Sequence, residues 1–195
     1  MTDSPASQVK PGAWLTGRSL YKRALAYTDV PTSDPRVVRA IDLVSREAEL
    51  LDRKEYIEWQ DLYPEDGIYV IPIDPEVEDF ENHLNIVFDN DTMRRARVVR
   101  LTEGYAIAAV DAAATVRTLG RFVPADVRDA DGGAEVVLRA AQILVAYKRG
   151  RHDVWAADVE WTVRLGATAA DDRIALKVIR LVDSQEEIPA AGFLL

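Results

Sequence analysis

The chain has 195 residues, enough for one domain with a substantial core, and carries a formal net charge of -9 with a pI near 4.8. That acidity argues against a nucleic-acid or anionic-membrane partner, since both need clustered positive charge. Cysteine is absent, so the chain forms no disulfides and cannot hold a Rieske cluster, which needs two thiolates and two histidines.

Only His83 and His152 are present, and neither has a carboxylate at H-x-D or H-x-E spacing. A mononuclear iron site of the two-histidine, one-carboxylate kind needs two convergent histidines. Asp153 directly follows His152, and on a strand it points to the opposite face. Two ordinary surface histidines are the simpler reading. No apolar run reaches the eighteen or so residues of a membrane span, and MTDSPASQVKPGAW lacks a signal-peptide core. A cytoplasmic location is expected.

Residues 1–33 have Ser, Thr, Pro and Gly at both ends around a short apolar centre, Trp14 to Tyr27. They read as an arm that orders against the body or a neighbour, ahead of a single domain over residues 34–195. Asp34 is a good N-cap and Pro35 suits the first helical position, where a missing N–H costs nothing. Val37 or Val38, Ile41, Val44, Ala48 and Leu51 then recur at helical spacing, with Arg36, Arg39, Asp42, Arg46 and Glu49 on the other face. A second helix, from Arg53 to Leu62, sets Tyr56 and Trp59 together at i, i+3 and ends at Pro64 and Gly67.

Gly67 to Ile73 reads as a strand, Asp74 to Glu81 as an acidic connection, and Leu84 to Phe88 as a short strand. Asn90 or Asp91 caps a third helix to Leu101, basic on one side through Arg94, Arg95, Arg97 and Arg100. The alanine-rich piece Tyr105 to Ala114 fits helix or loop. From Val116 the period becomes two: Val116–Arg128, Ala134–Tyr147, His152–Leu165 and Arg173–Val182 are long strands. Asp131-Gly132-Gly133 and Lys148-Arg149-Gly150 have hairpin chemistry. In the third long strand Trp155, Ala157, Val159, Trp161, Val163 and Leu165 share one face, and Asp158, Glu160, Thr162 and Arg164 share the other. Long antiparallel strands twist and curl. Helices first and a curled sheet after them predict an α+β fold.

One segment says more than the rest. Over Glu47 to Ile73, the pattern Glu47, Ala48, Leu50, Leu51, Asp52, Tyr56, Glu58, Trp59, Leu62, Glu65, Asp66, Tyr69 and Pro72 resembles the small (β) subunits of aromatic-ring-hydroxylating dioxygenases. The resemblance extends to Ala141–Arg149 and to Arg173–Leu195, with Lys177, Arg180, Leu181 and Asp183. It departs at Val116 to Val127, where an R-x-x-H-x-x-S-N segment of the family has no counterpart. It implies the cone-shaped NTF2-like (cystatin-like) α+β fold, N-terminal helices packed on a strongly curved antiparallel sheet. It also implies a non-catalytic, structural role beside a catalytic α subunit that carries the Rieske 2Fe-2S cluster and mononuclear iron, usually as α3β3. No cofactor or metal is then expected in this chain.

Candidate chemical residues each have a plainer reading. Tyr56 and Trp59 either line a pocket or pack the second helix onto the sheet. Glu65 and Asp66 are adjacent carboxylates in a turn, and solvation is their default. Asp74 stands roughly where the isomerase relatives of the fold place a general base. With His83 and Tyr56 it would make an acid–base set for a free-standing isomerase or dehydratase acting on a small organic substrate, which is the alternative function. The arginines of the third helix bind an anion, meet a partner, or are simply solvated or paired with the chain's own carboxylates. A third alternative is a non-catalytic binding module without an oxygenase partner. No phosphate loop, zinc spacing or nucleophile elbow occurs. Self-association as a trimer, or as α3β3, is expected to cover part of the convex sheet face, and Phe193-Leu194-Leu195 is expected to dock on the body or a neighbour.

Overall fold

The computed structural model describes residues 25–103, 113–130, 132–186 and 192–195. Most of the arm (1–24), most of the alanine-rich piece (Tyr105 to Ala114) and Asp131 lie outside them. Asp34 accepts the Arg36 N–H at 2.9 Å and starts α1, Pro35–Arg53, with Pro35 in the first turn. Lys54, at φ 61°, ends it in the left-handed region. The buried stripe of α1 is Val37, Ala40, Leu43, Val44, Glu47 and Leu51, rotated from the expected one because a glutamate belongs to it. α2 is shorter than the spacing suggested, Tyr56–Gln60, since the Lys54 cap separates it from α1.

Two short strands follow, β1 (Ile68–Pro72) and β2 (Asn85–Asp89). Asn90 then accepts the Met93 N–H at 3.1 Å and caps α3, Asp91–Thr102. The long strands are β3 (Ala114–Ala130), β4 (Gly133–Lys148), β5 (Arg151–Leu165) and β6 (Arg173–Leu181). Each lies within a few residues of where period-two alternation places it. Arg149 and Gly150 both take positive φ, 50° and 81°, so β4 and β5 are joined by a two-residue turn whose twist matches the strands.

All strands share one sheet in the order β2-β1-β6-β5-β4-β3. Every pairing is antiparallel except β1 with β6, which is parallel and was not anticipated from the sequence. β3 is an edge strand, which lets Pro124 sit in it without breaking a ladder, and its register shifts after Gly120 and again after Pro124. Such irregularities add bend and twist. The inner face of the curved sheet packs on α1 and α2. Trp59, Tyr69, Leu138, Leu144, Trp161, Val163, Ile174 and Ile179 form the middle of the core. In β5 the alternation is kept throughout: Trp155, Ala157, Val159, Trp161, Val163 and Leu165 are buried, and the residues between them are not. The expected α+β class, helices on a curved and mainly antiparallel sheet, is the class found.

Candidate functional site

The interior of the fold holds a carboxylate. Glu47 points from α1 into the core and is 1% exposed, as is Lys177 opposite it on β6. Its Oε1 accepts from Trp59 Nε1 (3.1 Å), the Tyr63 hydroxyl (2.8 Å) and Lys177 Nζ (2.9 Å), and its Oε2 accepts from Trp161 Nε1 (2.9 Å). Burial alone pushes the Glu47 carboxyl up, but the Lys177 ammonium and the donors from Lys177, Trp59 and Trp161 outweigh it and hold the carboxyl below its ordinary range. Burial lowers Lys177 from the usual lysine value, with its attraction to Glu47 working the other way. Burial, and then the Glu47 charge, push the Tyr63 hydroxyl well up.

The docked tail lies beside this cluster. The Leu195 main-chain oxygen accepts from the Tyr69 hydroxyl (2.9 Å) and Lys177 Nζ (3.2 Å), and the Leu194 oxygen accepts from the Arg117 guanidinium. Phe193 meets Trp155 edge to face at 6.1 Å. The expectation that Phe193-Leu194-Leu195 would dock on the body is met. Arg117 is also paired with Asp52, whose Oδ2 accepts the Arg117 backbone N–H at 2.7 Å.

The arginines of α3 are largely paired with the chain's own carboxylates, as one of the expected readings had it, but Arg94 turns inward. Arg94 is fully buried: its guanidinium donates to the Gly67 and Pro64 carbonyls and lies 4.7 Å from the Tyr63 ring centre. Arg97 is paired with the buried Asp89, with Nη2–Oδ1 at 2.9 Å. Only Arg95 and Arg100 face solvent. Helical spacing cannot distinguish an arginine that turns inward to cap a turn's carbonyls from one that is solvated.

The three residues of the alternative acid–base set are placed as follows. Tyr56 is in the core at 4% exposure, and its hydroxyl, raised mainly by burial, has no hydrogen-bond partner among the described residues. Asp74 is exposed, where its Oδ1 accepts the Glu76 N–H at 3.0 Å. His83 is exposed in the same connection, with Nδ1 2.7 Å from the Asp79 carbonyl oxygen. Trp59 packs the second helix onto the sheet. Asp66 accepts from Arg164 at 2.8 Å, and Glu65 is exposed. Among the described residues no group of three or more His, Asp or Glu is placed to hold a metal ion, and no helix is long and apolar enough to cross a membrane.

The sequence model described as "Ring hydroxylating beta subunit" matches residues 46–185, most of the chain and all of the cluster just described except the tail. The chain belongs to that family. A search of curated proteins returned no match. Among solved structures, this β subunit is similar to the naphthalene 1,2-dioxygenase structure with indole bound, at 17% identity over 80% of this chain and 82% of that one, TM-score 0.65. It is also similar to the β subunit of a putative aromatic-ring-hydroxylating dioxygenase from Novosphingobium aromaticivorans, at 18% identity over 80% and 94%, TM-score 0.62. A third is the β subunit of benzoate 1,2-dioxygenase from Burkholderia mallei, at 20% identity over 78% and 93%, TM-score 0.58. At these identities the likeness is one of fold.

The outer face of the β subunit's sheet divides in two. At one end Arg121 pairs with Asp158, Arg164 with Asp66, and Arg139 donates to the Ala26 carbonyl at 2.6 Å while stacking on Tyr27. At the other end the register aligns Val116, Val145 and Val154 across β3, β4 and β5, with Thr118, Ile143 and Ala156 in the next row. Val116 (67%), Val154 (63%) and Ile143 (52%) are exposed, and Tyr147 adjoins them. The alternating polar residues of β5, Asp158 to Arg164, cover only the charged end.

Proposed function

We propose that this chain is the accessory subunit of a multicomponent Rieske-type aromatic-ring-hydroxylating dioxygenase and supports the assembly of iron-carrying α subunits. The observation that carries this reading is the family match over residues 46–185. The redox groups, a Rieske 2Fe-2S cluster and mononuclear iron, belong to the α subunit, because a chain without cysteine cannot supply the cluster's thiolates. We further infer an α3β3 assembly in the cytoplasm, a β trimer as its core, and a domain over 34–195 preceded by an arm over 1–33.

The exposed apolar end of the outer sheet face supports the assembly reading. Contiguous aliphatic side chains on an otherwise acidic surface mark a protein contact more often than a solvated face. Co-expression with a ring-hydroxylating dioxygenase α subunit, followed by sedimentation at micromolar concentration, tests it. A complex containing both chains is expected. A β chain that stays monomeric with α present overturns the reading.

The alternative, a free-standing isomerase or dehydratase using Tyr56, Asp74 and His83, gains nothing from their positions, with one in the core and two in solvent. Turnover of the reconstituted dioxygenase is the measurement that separates the two.

A further inference from the structure

Two exposed surfaces of the chain are apolar and carry opposite charge. The first is the aliphatic end of the outer sheet face, where Val116, Ile143, Tyr147 and Val154 are exposed. It continues onto the β4–β5 hairpin, whose tip sets Lys148, Arg149 and Arg151 against a single carboxylate, Asp153. The second adjoins the edge strand β2. Ile73, Leu84 and Ile86 are exposed there, and the Ile73 N–H donates to the Leu84 carbonyl at 3.4 Å. Between them the β1–β2 connection carries Asp74, Glu76, Glu78, Asp79 and Glu81 without a lysine or arginine. Among the described residues, Glu78 is the one of these five in an ion pair, with the buried Arg180.

Strand register places both surfaces at one end of the sheet and keeps them apart. Val70 of β1 lies opposite Val178 of β6, and Leu181 at the end of β6 lies opposite Ala157 of β5. The acidic connection therefore leaves β1 near the end of β6. The β4–β5 hairpin runs on from Ala157 to Arg151, about 20 Å further at the rise of a strand. β1 and β2 are also separated from β4 and β5 by the width of β6. The projecting tip and the acidic connection thus present themselves as two distinct surfaces.

We propose that the apolar end of the outer face, with its basic hairpin tip, docks on the acidic β1–β2 connection of a second copy of this chain. The proposal rests on the β trimer inferred above and assigns the surfaces that form it. A second copy is the occupant because the complement of each surface is present on the chain itself. Placing either surface on its own counterpart would set cation against cation or carboxylate against carboxylate. Tip on connection pairs opposite charges and covers both groups of exposed aliphatic side chains. Exposed ion pairs add little affinity, so apolar burial holds the contact and the charges decide which surfaces meet. The contact uses different surfaces of the two copies, and repeated with threefold rotation it closes a ring.

Sedimentation of the full chain at micromolar concentration, without an α subunit, tests the proposal through a charge swap. Lys148→Glu/Arg151→Glu makes the tip acidic, and Asp74→Lys/Asp79→Lys/Glu81→Lys makes the connection basic. The parent is expected to be a trimer, and each set alone to raise its dissociation constant about tenfold or more, since like charges then face each other. The chain carrying all five substitutions is expected to regain the trimer, because the charges are again opposite. A tip variant that sediments as the parent does, or a five-fold variant no more associated than the tip variant, overturns the proposal. Should the connection variants not fold, the tip variant decides alone, its substitutions lying on an exposed hairpin. A parent that is monomeric alone but forms a complex with an α subunit overturns this contact and leaves the accessory role standing. A parent that stays monomeric with α present overturns both.

Discussion

Replacing Glu47 with Gln is the most searching perturbation of this fold, because a single atom exchange removes the charge on which four donors converge. The amide oxygen can keep the place of Oε1 and still accept from Trp59, Tyr63 and Lys177. Its NH2 then faces the Trp161 N–H, donor against donor, where Oε2 had accepted at 2.9 Å. Lys177 loses the Glu47 counter-charge and keeps the amide oxygen and the Leu195 oxygen, the latter at 3.2 Å. Breaking a buried ion pair by removing one partner costs about 3–5 kcal/mol, and an orphaned buried donor about 1–3. The two overlap in one substitution, so roughly 4 kcal/mol is the expected loss, a large share of the ~5–15 kcal/mol that holds a domain folded.

The pH dependence of that loss can be worked out in advance. Glu47 is held below its ordinary value of 4.5, so in the parent chain its contribution is present above pH 4.5 and is lost as pH falls through the folded value. In Glu47→Gln the unpaired Lys177 is driven further below its ordinary 10.5. The folded state then binds fewer protons than the unfolded one between the lowered value and 10.5, and stability rises with pH across that window. The deficit is therefore expected to be largest near neutrality and to shrink in alkali. Urea unfolding at constant m, from pH 4 to 10, measures it. The double variant Glu47→Gln/Lys177→Met is expected to recover part of the loss, since no unpaired charge remains. A Glu47→Gln chain within about 1 kcal/mol of the parent at pH 7 would refute the reasoning.

Arg94→Lys keeps the charge but loses the planar fork on the Gly67 and Pro64 carbonyls and the stack on Tyr63, so a loss of about 1–3 kcal/mol is expected in the same urea assay. Val154→Asp on the outer face should leave stability within about 0.5 kcal/mol, as surface changes do, yet reduce sedimentation to a smaller species if that face is a subunit contact. Asp74→Ala and His83→Ala are expected to leave turnover of the reconstituted dioxygenase nearly unchanged; a fall of about a hundredfold with assembly intact would restore the acid–base reading. The chain purified alone is expected to be colourless and free of stoichiometric iron, which metal analysis and a visible spectrum check.

Much of this architecture was legible because its signals are local. Asp34-Pro35 marks the start of α1, Asn90 marks α3, and strict alternation from Val116 to Val182 delivers four strands nearly to the residue. What failed to show in the sequence depends on distant partners. A helical wheel puts Glu47 on the edge of a polar face; only the arrival of Trp59, Trp161 and Lys177 from three other elements turns that residue inward. The i, i+3 pair Tyr56 and Trp59 divides in the fold, with Trp59 joining the carboxylate and Tyr56 facing Arg117. The parallel pairing of β1 with β6 joins segments about a hundred residues apart, and no local period encodes it. The one available hint was the resemblance itself, which included Glu47, Trp59, Tyr69 and Lys177 without saying that they meet.

The interior cluster also bears on whether such a chain can act alone. An ionised carboxylate offers about four acceptor sites, and a general base needs one of them free together with a route for the proton. Glu47 accepts from four donors, three of them on Oε1, and is sealed from water. Asp52, the other carboxylate reaching the inner face, is committed to the backbone and guanidinium of Arg117. Freeing Glu47 to work as a base would require withdrawing Lys177, and that step removes the ion pair holding α1 against β6. In this chain the inward-facing charges are spent on holding helices to sheet.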